Sequence, residues 1–453
     1  MGKLLEGLLW GWHVLALILA VGIQYSFSTG FFQIRKAGFW LKTACVGSGS
    51  TQKRLPPKPP VQSRLKDVEK ASRKKMEKQA VLEKTTSRFQ ALTAALGGSI
   101  GTGNIVGVAA AITAGGPGAI FWMWISALLG MMTLFGENVL ARIYKNAPGA
   151  LGYIERVKRI GKPLAVMYAA GCFLASLGMG NMIQTNAAAA ALSIFGIPKV
   201  VSAAGMAMVL LFVARGGLRA AVKITEKLVP LMTLLFMALS IWVLVVNRGK
   251  VIPALSLIAK EAFSLKAGAG GAAGMLIAAK AGISRGIFTN EAGLGSSAFA
   301  YEDVADQSPI QMGCMGIFQV FIDTIVMCTL TGLCILCSGA SGFSGAQLTF
   351  FAYESALGNI GSRAVSLCTA LFAFATTVTW CCYGRAGLFY LTKDRGRSSF
   401  ALLFAGAAFL GCILPLPQVL QLGDAFNGLM AIPNVLALFY YVGEVRDSTV
   451  KKL

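Results

Sequence analysis

Apolar stretches of about twenty residues, the length that crosses a bilayer as a helix, recur along this chain with short polar connections between them. The first runs from about residue 8 to 32, and further spans are expected at 89–113, 118–141, 163–191, 197–213, 225–246, 270–299, 309–338, 363–391, 399–415 and 418–442, eleven in all. The first is too long for a signal-peptide core and no small-residue cleavage site follows it, so it reads as a retained helix. The remaining ten divide into five plus five, and in each half the first span is interrupted. In the first half the interruption is Gly97-Gly-Ser-Ile-Gly-Thr-Gly-Asn-Ile-Val-Gly107, a poor helix because each Gly costs about 1 kcal/mol against Ala. In the second it is Ala281-Gly-Ile-Ser-Arg-Gly-Ile-Phe-Thr-Asn-Glu-Ala-Gly-Leu-Gly-Ser296. Gly-xxx-Gly spacing also lets helices pack closely, so the first stretch alone leaves packing and ligand binding open. Two breaks at matching places in two halves point instead to an inverted-repeat transporter, because unwound backbone in a membrane is tolerated where it faces protein or a wet cavity. An odd number of spans per half makes the halves inverted.

Composition agrees with an all-α polytopic membrane protein. Of 453 residues 55% are hydrophobic and 13% charged, against about 25% charged in soluble domains. The net charge of +22 does not indicate nucleic acid, since the basic residues sit in short runs between apolar segments, as in cytoplasmic loops. Half of it lies in one insertion: residues 35–88 hold 15 Lys/Arg and 4 Asp/Glu around the extended linker Pro56-Pro57-Lys58-Pro59-Pro60, with a polar helix expected at 64–84. This loop is expected inside the cell near anionic headgroups, which puts the N-terminus outside and the C-terminus in the cytoplasm of a multi-pass cell-membrane protein. The positive-inside pattern is strained at 247–266, an outer segment with four basic residues, and at the acidic inner loop holding Glu302, Asp303 and Asp306. The expected units are an extra helix 1–34, the basic loop 35–88, five-helix repeats 89–247 and 248–445, and a tail 446–453. Ten cysteines lack paired spacing and read as small buried residues. His13 is the only histidine, and no catalytic pair stands out, so an enzyme is disfavoured.

Four stretches together resemble the alanine/glycine:cation (sodium:alanine) symporter family, of the amino acid–polyamine–organocation superfamily. They are Gly101-Thr-Gly-Asn-Ile-Val-Gly-Val-Ala109 running on to Gly115-Gly-Pro-Gly-Ala-Ile-Phe-Trp-Met-Trp124, Gly180-Asn-Met-Ile-Gln-Thr-Asn186, Thr225-Glu-Lys-Leu-Val-Pro230 and Arg285-Gly-Ile-Phe-Thr-Asn-Glu-Ala-Gly-Leu-Gly-Ser296. The resemblance implies the LeuT-type five-plus-five fold and sodium-coupled import of small neutral amino acids such as alanine and glycine. It implies that backbone N–H groups at Thr102 and Gly103, with Asn104 beside them, hold the substrate carboxylate, where a restarting helix points its positive end. It implies a co-transported sodium ion faced by carbonyls of Gly97 and Ile100, and by the Ala373 carbonyl and the hydroxyls of Thr376 and Thr377, since sodium wants oxygen ligands. Those threonines would otherwise bond back to their own helix carbonyls. The chain departs from the family pattern in its long basic loop, at Gly149–Tyr153, at Tyr301–Val304 and at Arg385, which leaves substrate and gating open.

Other intramembrane polar residues are costly and so are candidates. Asn181 and Gln184, three apart on one helical face, either bind substrate or bond across to another helix. Phe288, Thr289 and Asn290 line the second break. Trp380 either closes over the substrate or packs in the interior. Glu137 is expected to pair with Arg142. Glu291 reads as a gate or as a cap of the restarting helix, with Arg285 as its partner. Asp323 is expected near the ion path or paired with a buried base, and a proton-coupled transporter would favour Asp323 or Glu291 over the threonines. A channel or nutrient sensor on the same fold is the other alternative.

Overall fold

The computed structural model describes residues 7–45, 88–216, 218–264, 272–301, 304, 308–340, 342–393 and 396–450, and its regular elements are helices. In chain order they are α1 (Trp12–Ser28), α2 (Arg88–Ser99), α3 (Val106–Gly115), α4 (Ala119–Ile143), α5 (Gly161–Ser193), α6 (Lys199–Gly216), α7 (Leu218–Val246), α8 (Arg248–Ala262), α9 (Ala272–Asn290), α10 (Ser297–Tyr301), α11 (Pro309–Ser338), α12 (Ala346–Thr392), α13 (Arg397–Ile413) and α14 (Leu416–Tyr440). Short helices Phe32–Arg35, Ala37–Cys45 and Val442–Val450 flank them. The expected polar helix at 64–84 lies outside the described residues.

Among the described residues eight helices are long and apolar enough to cross a membrane, nine when α2 and α3, bent by 54° across Ile100–Gly101, are taken as one span. The other two expected spans are present as helices but differ in kind. Lys280, Arg285 and Asn290 lower the apolarity of α9, and α13 is short. The lipid side is apolar in the way a bilayer requires: α6 and α7 turn Phe212, Leu234 and Trp242 outward. Two helical segments were not anticipated. The stretch expected as an outer connection folds as α8, burying Ala254, Ile258 and Ala262 at four-residue spacing. The span expected at 363–391 is preceded by one more helical segment, with Gly358, at the non-helical φ 65° and ψ −161°, making the kink between the two.

The helices form two groups that meet at the breaks. In one, α4 packs against α9, α11 and α1; in the other, α12 packs against α5 and α7, and α5 against α14. The N-terminal helix belongs to the body of the molecule. Gly22 lets α1 approach the Leu129 carbonyl of α4, where a Cβ would lie 2.6 Å away, and Tyr25 donates to the Leu438 carbonyl of α14 at 2.9 Å.

Candidate binding site at the two broken helices

After Ser99 the first span gives up its helix. Gly101 is extended, Thr102–Asn104 make one tight turn, and α3 starts at Val106. Several of the freed groups find partners. The Gly101 N–H donates to Asn104 Oδ1 at 3.0 Å, and the Thr102 N–H and hydroxyl both donate to Gln184 Oε1, at 3.1 and 2.9 Å. Asn104 Nδ2 donates to the backbone oxygen and Oδ1 of Asp323, at 2.8 and 2.9 Å. On the other side the Ile100 carbonyl accepts the Thr376 hydroxyl at 3.3 Å. A Cβ at Gly101 would lie 2.5 Å from that hydroxyl and 3.0 Å from Gln184 Oε1, so glycine here is a condition of the contact.

The second break follows Asn290, whose Oδ1 caps the Ala292 N–H at 3.0 Å. Glu291, Gly293 and Gly295 all have positive φ, at 60°, 88° and 69°, free for the glycines and costing roughly 1–2 kcal/mol for Glu291. Two of the amides this exposes are held by one acid side chain. Glu137 Oε1 accepts the N–H groups of Gly293 (2.9 Å) and Gly295 (3.1 Å) and the Asn434 amide (2.8 Å). Glu291 accepts Ser296 Oγ and, at 2.8 Å, Trp380 Nε1. The two breaks touch, since a Cβ on Gly103 would lie 2.9 Å from Thr289 Oγ1.

Several residues named from the sequence therefore meet: Ile100 with Thr376, Thr102 with Gln184, and Gly103 and Asn104 with Thr289 and Asp323. Other named residues make further contacts. Thr377 bonds back to the Ala373 carbonyl at 2.7 Å, and Gly97 packs against Val229 and Thr379. Asn181 and Gln184 do not share a face, because Gly178–Ile183 is a π turn, wider than an α-turn. It sends Asn181 Nδ2 to the Phe404 carbonyl at 2.6 Å and leaves Gln184 for Thr102. Phe288 is buried under the Arg285 guanidinium, 5.2 Å from its ring centre. Trp380 is fully buried, faces Gly180 and is turned toward the second break.

Two expected ion pairs do not form. Glu137 bonds the glycine amides while Arg142 donates to the Val304 carbonyl at 2.9 Å, because the unwound turn offers N–H groups inside the protein. Arg285 pairs with Asp424 on α14, and Glu291 is engaged by Ser296 and Trp380. Among the described residues no base lies beside Asp323, whose carboxylate accepts donors from Asn104, Thr289 and Thr324. Asn434, which ties Glu137 to the Gly293 carbonyl at 2.9 Å and accepts Tyr153 OH, was missed; a polar residue inside an apolar span was the available signal. Among the described residues no cluster of three His, Cys, Asp or Glu side chains is arranged to hold a metal.

The fold has a counterpart in the crystal structure of the LeuT-fold transporter MhsT in complex with L-phenylalanine, with a TM-score of 0.55 and 19% identity over 79% of this chain and 89% of that one. A sodium/alanine symporter of Methanococcus maripaludis is 35% identical over 97% of this chain and 94% of its own length. A probable sodium/glutamine symporter of Bacillus subtilis is 31% identical over 95% of this chain and 86% of its own. Residues 61–451 match the profile of the sodium:alanine symporter family. With the breaks, the fold and nearly the whole length in agreement, the chain belongs to the sodium:alanine symporter family, a family of transporters and not of enzymes.

Proposed function

We propose that this protein is a sodium-coupled symporter that imports a small neutral amino acid, alanine or glycine, by alternating access. The observation that carries the reading is the pair of hydrogen bonds to Gln184 Oε1: the backbone N–H and hydroxyl of Thr102 converge on one oxygen, as they would on an α-carboxylate oxygen. The substrate carboxylate displaces that amide oxygen, with Gly103 and Asn104 beside it, while Thr289, Phe288, Asn290 and Trp380 bound the space from the second break. Sodium, as co-transported cargo, takes neutral oxygens: the carbonyls of Gly97, Ile100 and Ala373 and the hydroxyls of Thr376 and Thr377. Ion and substrate then stabilise the same closed arrangement, so each favours the other's binding. Inward movement of one charge yields about 2.3 kcal/mol per 100 mV, enough to concentrate a neutral solute more than about tenfold. The basic loops face the cytoplasm and the N-terminus lies outside.

The test is uptake of radiolabelled alanine and glycine by the purified protein in liposomes with a sodium, potassium or proton gradient imposed. Uptake with sodium alone as the driving ion is expected. Uptake under a proton gradient without sodium would overturn the coupling, and binding without flux would indicate a sensor. Thr376→Ala is expected to raise the sodium half-saturation constant about tenfold, the loss of one good ligand, and that for alanine much less.

A further inference from the structure

We propose that α8 is an interfacial helix that docks on the headgroups of anionic phospholipids, on the membrane face opposite the one that carries residue 88. Five spans, from α2/α3 to α7, separate Arg88 from Asn247. On that opposite face α8 crosses the ends of three helices. Its Ala254 and Ile258 share a buried cluster with Ile120 near the start of α4 and Cys337 at the end of α11, and Leu244 near the end of α7 packs against it. Trp122 Nε1 donates to the Ala262 carbonyl at 3.1 Å, and a Cβ on Gly118, just before α4, would lie 2.5 Å from the Ala262 nitrogen. A helix of 15 residues is about 22 Å long, too short to cross about 30 Å of hydrocarbon. Its contacts with three helix ends lay it along the surface.

Two observations fix what lies against the rest of it. The first is a second line of residues, apart from the buried one. Ile252, Ser256, Ala259 and Phe263 recur at spacings of four, three and four, along one side of the helix, and all are exposed, Ile252 at 72% and Phe263 at 55%. Phe263 carries this line into an aromatic group, with its ring centre 5.0 Å from that of Phe121 and 6.0 Å from that of Trp122. Aromatic rings at the end of a span sit at headgroup level, so the exposed line enters the edge of the hydrocarbon; in water Ile252 and Phe263 would stay unburied. The second observation is charge. Arg248, Lys250 and Lys260 are all exposed, Glu261 is the one acid on the helix, and among the described residues no carboxylate pairs with the three bases. In the orientation proposed above, these bases run against the positive-inside pattern. With α8 held at headgroup depth, their long stems carry the charge from apolar surface to a lipid phosphate.

The test places the purified full-length protein in phosphatidylcholine nanodiscs doped with a trace of photoactivatable phosphatidylglycerol or phosphatidylcholine, the reactive group near the glycerol end of the acyl chain, and maps the cross-linked residues. Both probes are expected to mark the Ile252 to Phe263 line. Phosphatidylglycerol is expected to mark it at least about fivefold more, a modest share of what three basic residues near an anionic surface provide. Leu234, exposed at mid-span on α7, is marked equally by both. Arg248→Gln, Lys250→Gln and Lys260→Gln together bring the ratio at α8 to about one. Salt at about 0.5 M lowers the ratio in the unaltered protein, because exposed charges are screened, a readout that needs no variant to fold. Absence of marking by either lipid would put α8 in water. A ratio near one in the unaltered protein, or a ratio kept by the triple variant, would take the bases out of lipid recognition. Loss of the ratio to inorganic phosphate added at constant ionic strength would assign them to a free anion. Each of these outcomes overturns the proposal.

Discussion

The two breaks solve the same problem in opposite ways. Each unwinds a buried helix and exposes backbone N–H groups that must be satisfied inside a membrane. At the first break the partners are neutral: Gln184 Oε1 takes the Thr102 donors and Asn104 Oδ1 the Gly101 amide. At the second a neutral Asn290 Oδ1 takes the Ala292 amide, but the amides of Gly293 and Gly295 go to an acid, Glu137. A charge-assisted bond to a carboxylate is about twice as strong as one to a neutral amide, so an incoming carboxylate can displace Gln184 but not Glu137. On the proposed reading, an amino acid entering between the breaks has one place for its anionic end, and the polarity of the site follows.

The largest expected effect comes from erasing this difference. Gln184→Glu puts a tethered carboxylate on the Thr102 donors, an internal competitor at an effective concentration of roughly millimolar or more. Alanine uptake in liposomes is expected to fall at least about 100-fold while the protein's thermal unfolding temperature holds. Uptake near that of the unaltered protein would remove Thr102 from the site. The converse change opens the second break: Glu137→Ala strands two buried amides, at about 1–3 kcal/mol for each unsatisfied group, removes one bond of Asn434, and should lower the unfolding temperature markedly, with Glu137→Gln intermediate. A small shift would mean the second break is held by packing alone. The smallest effect separates the sodium threonines. Thr377 already donates to its own helix at the Ala373 carbonyl, so Thr377→Ala should alter sodium half-saturation less than Thr376→Ala does. Equal effects would place both hydroxyls on the ion.

Much of this was legible along the chain. Long apolar runs favour membrane helices and clustered glycines weaken a helix, so most of the spans and the neighbourhood of both interruptions were readable from local composition. The family motifs fall on the same interruptions. What was not legible were directions and partners. Thr102 and Gln184 are 82 positions apart, Trp380 and Glu291 are 89, and Asn104 and Asp323 are 219. Ordinary α-helical spacing misjudged Asn181 and Gln184 because a π turn shifts the register between them. Charge pairing by proximity in sequence misjudged Glu137 and Glu291, because unwound backbone amides and a buried indole competed with the nearby arginines and won.

The sequence by itself determined that this is a helical membrane protein with two weak points in its helices, since hydropathy and glycine content act locally and need no knowledge of neighbours. Only the tertiary structure decided which side chains satisfy those weak points. A freed amide in a dry interior takes whatever acceptor the packing of other helices brings to it, and that packing leaves a neutral amide at one break and an anchored carboxylate at the other.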